Sequence, residues 1–183
     1  MRLFGSEEDW RFVSRLSAVS WLVFYGVFLV YAFLQRGSFL LVDSANLVVH
    51  EGGHLLFGWF GETLGIWGGT ILQWSVPLLL AGYFYSQKQI TGFTFCMFFF
   101  FENFLYTATY MSDARAVALP LVSAGSSDYI EHDWRNIFGS LGIVQYDTAI
   151  GGCVSILGWC GMVATVVWFC YQTHWGLRRR VTQ

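Results

Sequence analysis

The sequence predicts an all-α fold, a polytopic membrane helix bundle of four spans plus a membrane-inserted histidine helix and a long polar loop. Three observations carry that expectation. Apolar residues make up 55% of the 183 and charged residues only 12%, about half the roughly 25% charged share of a soluble domain. Nearly uncharged runs of about 20 residues recur, the length that crosses a hydrocarbon core of roughly 30 Å. Short polar turns and a single long polar stretch separate those runs. The whole chain, 1–183, therefore reads as one integral membrane domain embedded in a lipid bilayer. A net charge of −2 and the lack of a large Lys/Arg block exclude a nucleic-acid-tracking surface.

The acidic start, residues 1–9, precedes an apolar run with no small-x-small cleavage site, so the first span is expected to be retained. Residues 5–15 are expected to form a short interfacial helix, with Trp10 and Phe12 toward lipid and Arg11 and Arg15 at the headgroups. The first span covers about 16–34 and ends at Arg36-Gly37.

Residues 39–60 are apolar overall yet carry Asp43, Asn46, His50, Glu51 and His54. At 100° per residue, Asp43, Asn46, His50 and His54 share a narrow stripe, which must face a protein interior or a water-filled cavity. Within it, His50-Glu51-Gly52-Gly53-His54 is an H-E-x-x-H string. Histidines at i and i+4 can ligate one metal ion, and the glutamate lies close enough to act on a water at that ion. Two adjacent glycines cost a helix roughly 1 kcal/mol each relative to Ala, so they mark a close backbone approach.

The next span, about 64–85, has Gly65, Gly68 and Gly69 on one face, suited to packing on the histidine helix, and Gln73, Ser75 and Pro77 at mid-depth. The third, about 91–111, holds Glu102 and Asn103 deep in an aromatic run. An ionisable residue at that depth is functional by default. A polar connection, 113–133, follows and leads into a short amphipathic helix expected to start at Asp133 as N-cap. The last span, about 149–171, is glycine-faced and is closed by His174 and Arg178-Arg179-Arg180. Arg2, Arg11 and Arg15 at one end and Arg178-Arg179-Arg180 at the other prefer the cytoplasmic face. Four crossings with a half-inserted histidine helix then leave 38–60 and 113–147 on the opposite side. A fully crossing histidine helix would instead turn the C-terminal arginines outward or require 113–147 to insert. The four cysteines, Cys96, Cys153, Cys160 and Cys170, lie in apolar runs without a C-x-x-C and are expected to be small core residues.

A metal centre needs a third protein ligand and an open position for water. Asp113 is the first candidate, then His132, then Glu102; His174 belongs with the terminal arginines. Glu102 and Asp113 would stand about 16 Å apart along one helix, so at most one of them reaches the ion. The expected chemistry is zinc-dependent peptide hydrolysis with Glu51 as general base, and with Asp43 or Asn46 orienting a histidine.

The chain resembles a family of small bacterial multipass membrane proteins, one without a settled function. The resemblance rests on His50-Glu51-Gly52-Gly53-His54, Gly68-Gly69, Gln73, Pro77, Asp113-Ala114-Arg115-Ala116, Leu119-Pro120-Leu121 and His132-Asp133-Trp134. It covers roughly 42–147 and implies a bacterial inner (cytoplasmic) membrane location. More distantly, the chain is similar to the site-2-protease class of intramembrane zinc metallopeptidases. There an aspartate on a later helix joins the two histidines, which implies that role for Asp113, here within Ser112-Asp113-Ala114 rather than Leu-Asp-Gly.

Two other classes compete. A di-iron oxygenase would use His50 and His54 as part of a larger histidine set, but the chain has only four histidines. A non-enzymatic accessory or assembly subunit of a larger membrane complex, its metal site structural or degenerate, would suit the aromatic content and the glycine-faced helices. Co-purification with a stoichiometric partner separates that reading from the peptidase.

Overall fold

The computed structural model describes residues 10–120 and 132–181, with side chains through residue 174. Those residues form helices joined by turns, with no strand among them: α1 (Arg15–Leu34), α2 (Asp43–Phe57), α3 (Glu62–Ser86), α4 (Ile90–Ser112), α5 (Asp133–Ser140) and α6 (Asp147–Val181). Single 3-10 turns follow α2 (Gly58–Phe60) and precede α6 (Val144–Tyr146). The acidic N-terminus, the 121–131 part of the polar connection and the side chains of Arg178, Arg179 and Arg180 lie outside the described residues.

Three helices, α1, α3 and α6, are long and apolar enough to cross a membrane. On α1 the residues Leu16, Val19, Val23, Val27, Val30 and Leu34 are all at least half exposed. Their spacing of three and four residues makes a single apolar stripe turned outward, the surface that lipid contact requires and water does not. Ala18, Tyr25 and Ala32 occupy the opposite, buried face. Over the remaining expected span lies the 23-residue α4, which is not among those three and buries the polar Thr94, Glu102, Asn103 and Thr107.

Glycine governs how the helices pair. A Cβ on Gly158 would lie 2.9 Å from the Phe101 carbonyl oxygen, and one on Gly151 would strike Ser112 and Ala108. Thus α6 runs antiparallel against α4 at backbone-contact distance. The turn after α2 closes at Gly61, where φ of +115° excludes most side chains. Tyr25, Phe98, Met162 and Phe169 fill the aromatic core between α1, α4 and α6.

The two ends of the bundle are chemically distinct. At one, the Arg11 amide donates to the Lys88 carbonyl at 2.8 Å. Trp10 packs there against Tyr85, Phe93 and Trp168, each with ring centroids 5.5 Å away. At the other end, Arg115 Nε donates to Asp147 Oδ1 at 2.7 Å and clasps the end of α4 to the start of α6.

Several expectations change in detail. Residues 10–14 are not helical, and Trp10 is folded inward rather than turned to lipid. Ser14 caps α1 through a 3.2 Å bond from the Ser17 amide. The short amphipathic helix begins one residue earlier than expected, with His132 as N-cap; its Nδ1 accepts the Arg135 amide at 3.3 Å. Cys96 is buried, but Cys153, Cys160 and Cys170 are exposed on the outer face of α6, so they are surface rather than core residues.

Candidate metal centre

The histidine helix owes its position to three glycines. A Cβ on Gly53 would collide with the Gly68 carbonyl, and one on Gly69 would come within 2.6 Å of the His50 ring. With hydrogens there instead, α2 lies directly on α3 and the His50 imidazole rests on backbone. At Gly52, by contrast, an added methyl would find only Leu72, 3.8 Å away, an ordinary contact.

That packing presents each histidine with a partner on α3. His50 Nδ1 is 3.1 Å from Gln73 Oε1, and His54 Nδ1 is 2.7 Å from the Gly65 carbonyl oxygen. A carbonyl can only accept, so Nδ1 of His54 carries a proton and its Nε2 is the nitrogen left for a ligand; Gln73 Oε1 sets His50 the same way. Such outer hydrogen bonds fix the tautomer and aim of a metal-ligating imidazole. Gln73 and Gly65 fill the orienting role expected of Asp43 or Asn46.

Both Nε2 atoms converge on one carboxylate oxygen. Asp133 Oδ2 is 2.9 Å from His50 Nε2 and 3.1 Å from His54 Nε2. With neutral imidazoles, three lone-pair-bearing atoms point at one another, which is repulsive unless positive charge lies between them. Protons on the imidazoles would supply it, and so would a metal ion. Ligands 2.0–2.1 Å from a tetrahedral zinc ion stand about 3.3–3.4 Å apart, and the Asp133 oxygen lies 2.9 and 3.1 Å from the two nitrogens, a few tenths of an ångström closer. His50, Glu51 and His54 by themselves also form a group that could hold a metal ion.

Asp133 is held there by its own helix. Its amide donates to the Tyr110 hydroxyl at 3.1 Å, and that hydroxyl lies 3.4 Å from Asp133 Oδ2. Beside it Trp134, Ile137 and Phe138 are buried against α4 and α6, and Trp134 meets Trp67 of α3 edge-on at 5.7 Å. Burial would raise the Asp133 carboxyl, but hydrogen bonds from His50 and His54 outweigh it and hold the group below the usual carboxylate range.

The other sequence-derived candidates lie elsewhere. Asp113 caps α4, and its two carboxylate oxygens accept the amides of Ala118 and Leu119 at 3.0 Å each. It thereby organises a turn in which Val117 has a φ of +47°, a strained setting for a β-branched residue. Its partner is not Arg115, which pairs with Asp147. His132 is buried, 3.5 Å from Asp113 Oδ2 through Nε2, with its ring 4.2 Å from that of Tyr110. Its burial lowers its basicity against the opposing pull of Asp113 and Asp133. Glu102 is fully buried and bonds Asn46 rather than Asn103 or a tyrosine. His174 is exposed on α6. The structure thus brings together His50, Glu51 and His54, and adds Asp133.

Sequence reasoning passed over Asp133 because its N-cap reading accounted for it. The available signal was adjacency: Asp133 neighbours His132 in the same polar connection and opens an amphipathic helix that must dock somewhere.

Beside the centre, a cleft of about 400 Å³ runs along α2 and α4. Leu47, Leu105, Tyr106, Pro120 and Trp159 supply much of its apolar wall, and His50 and Glu51 line it too. No protein-family model, curated protein or solved structure matches the chain.

Proposed function

We propose that the chain is a membrane-embedded, metal-dependent hydrolase that cleaves a peptide bond, with His50, His54 and Asp133 holding a zinc ion. The observation that carries the reading is the meeting of both imidazole Nε2 atoms on Asp133 Oδ2 while each Nδ1 is committed to an acceptor on α3. Two nitrogens and one carboxylate are a ligand set known for hydrolytic zinc, where three protein ligands leave a position open.

The ion, when bound, supplies a Lewis acid and an acidified water. The chain supplies the rest. Glu51, next to His50 and lining the cleft, takes a proton from water and returns it to the leaving nitrogen. Gln73 and the Gly65 carbonyl keep the imidazoles aimed. Tyr110 secures Asp133 at both its amide and its carboxylate. The apolar cleft wall excludes bulk water and so strengthens each electrostatic contact.

In this reading α1, α3, α4 and α6 make four crossings, with both chain ends and the Lys88 turn on the cytoplasmic side. The centre then lies toward the opposite face of a bacterial cytoplasmic membrane. Arginines near both termini and the hydrogen bond from Arg11 to Lys88 support that orientation.

Metal analysis of the purified protein tests the ligand set. Wild type and Glu51→Gln should each retain one ion per chain, whereas His54→Ala and Asp133→Asn should lose it. Full occupancy in either of the last two variants would sink the assignment. Loss of peptide cleavage in Glu51→Gln at unchanged metal content would tie the chemistry to that carboxylate. A metal-free chain that purifies with a stoichiometric partner would instead make it an accessory subunit.

A further inference from the structure

A second polar cluster lies deeper in the bundle and takes no part in the metal centre. Asp43, at the start of α2, is 3% exposed, and Glu102, midway along α4, is fully buried. One side chain bridges them: Asn46 Nδ2 donates to Glu102 Oε2 at 3.0 Å and reaches Asp43 Oδ1 at 3.4 Å. A single amide nitrogen thus serves one oxygen of each carboxyl group. No Lys, Arg or His pairs with either among the described residues.

The hydrogen-bond inventory determines the protonation. An ionised carboxylate only accepts, so two buried carboxylates that share one amide donor leave acceptor positions that a proton on one of them would fill. Both oxygens of Asp43 receive donors, Oδ2 from the Leu40 amide at 2.7 Å and Oδ1 from Asn46. Glu102 Oε2 receives Asn46, but Oε1 is buried with no donor at all. Two buried carboxylates without a cation would each cost several kcal/mol of desolvation and would also repel one another. An unpaired buried oxygen is likewise costly unless something occupies it.

We infer that Asp43, Asn46 and Glu102 form a proton-binding site in which Glu102 is the acid, Asp43 the carboxylate, and a single shared proton the ligand. The site opens on the cleft through Asp43, which lines its wall together with His50, Glu51 and Arg36. Tyr106, one helical turn beyond Glu102, lines the same cleft as Asp43. The cleft therefore has an acid at its floor and a base, Glu51, near the histidines. This assignment stands on the hydrogen-bonding pattern alone and holds whether or not the histidine centre hydrolyses anything.

Infrared spectroscopy of the purified full chain near neutral pH tests it. A protonated carboxyl in an apolar setting gives its own carbonyl stretch, shifted by exchange into heavy water. The expected result is one such band per chain, lost in Glu102→Gln and kept but moved in Asp43→Asn. A band that survives Glu102→Gln, or no band in the wild type, would overturn the inference. So would a band seen only when sodium is withheld, because the site would then hold a sodium ion in place of the proton. Should Glu102→Gln fail to fold, Asp43→Asn decides alone: an unmoved band there would also overturn it.

Discussion

Asp133 takes contacts from both histidines through one oxygen, while the neighbouring His132 spends its own ring capping α5. The two acidic residues that flank the polar connection therefore predict opposite mutational outcomes. Asp133→Asn should abolish stoichiometric zinc retention in equilibrium dialysis. Asp113→Asn, which alters a turn whose contacts run to His132 and to its own amides rather than to His50 or His54, should leave it intact. Gln73→Leu removes only the bond that aims His50 and should weaken zinc affinity by about 10–100-fold without eliminating binding. Zinc affinity equal to wild type in Gln73→Leu would mean that the His50 tautomer is set by something else.

The histidines and the glutamate of the centre were legible as a five-residue string because one helix carries all three. The acidic group that joins the two histidines, Asp133, was not, because it arrives from a different helix after a connection whose path no local rule determines. Asp113 was the reasonable choice on pattern: it ends an apolar helix and faces the polar connection. What displaced it is local: the amides of Ala118 and Leu119 claim both of its oxygens. A carboxylate pinned by two amides of its own turn is held to that turn.

At the scale of elements, the α2–α3 contact gives a sharp contrast between neighbours. Gly53→Ala places a methyl into the Gly68 carbonyl and must push the helices apart, at a cost of about 1–3 kcal/mol. Gly52→Ala meets only a flexible leucine and gains helix propensity, so it should be neutral or stabilising by up to about 1 kcal/mol. Thermal midpoints in detergent check both. The small-residue face of α3 was readable from Gly65, Gly68 and Gly69. Which of the two α2 glycines met it was not, since adjacent helical positions differ by 100° and the answer depends on where the axis lies. The non-helical start of the chain escaped prediction for a similar reason: Trp10 gains an aromatic pocket from α3, α4 and α6 that no neighbouring residue announces.

At the scale of the whole molecule, the even alternation of helices places Lys88 and Ser140 at opposite ends. A Lys88→Cys variant and a Ser140→Cys variant, each in a background with the four native cysteines replaced, should react with a membrane-impermeant maleimide from opposite faces. Labelling of both from one face would remove the four-crossing arrangement. In the native chain, Cys153, Cys160 and Cys170 face outward on an apolar helix. They should resist that reagent in intact membranes, because a membrane-impermeant maleimide does not enter the hydrocarbon that an outward apolar helix face meets.

The clasp between Arg115 and Asp147 spans the connection that delivers α5, and the partners of the His50–Asp133 contact are 83 residues apart. During synthesis the two histidines reach the membrane long before the carboxylate that completes the centre. At roughly 5–20 residues per second that interval is about 4–16 s. Throughout it α2 carries His50, Glu51 and His54 without the Asp133 carboxylate on which both Nε2 atoms converge, an arrangement expected to hold an ion more loosely. On the proposed ligand set, stable capture would belong to the last stage of biogenesis, after α6 has begun to insert and the Asp147 carboxylate has met Arg115. Nascent chains stalled before residue 133 should release zinc to a mild chelator, and chains stalled after α6 has emerged should keep it.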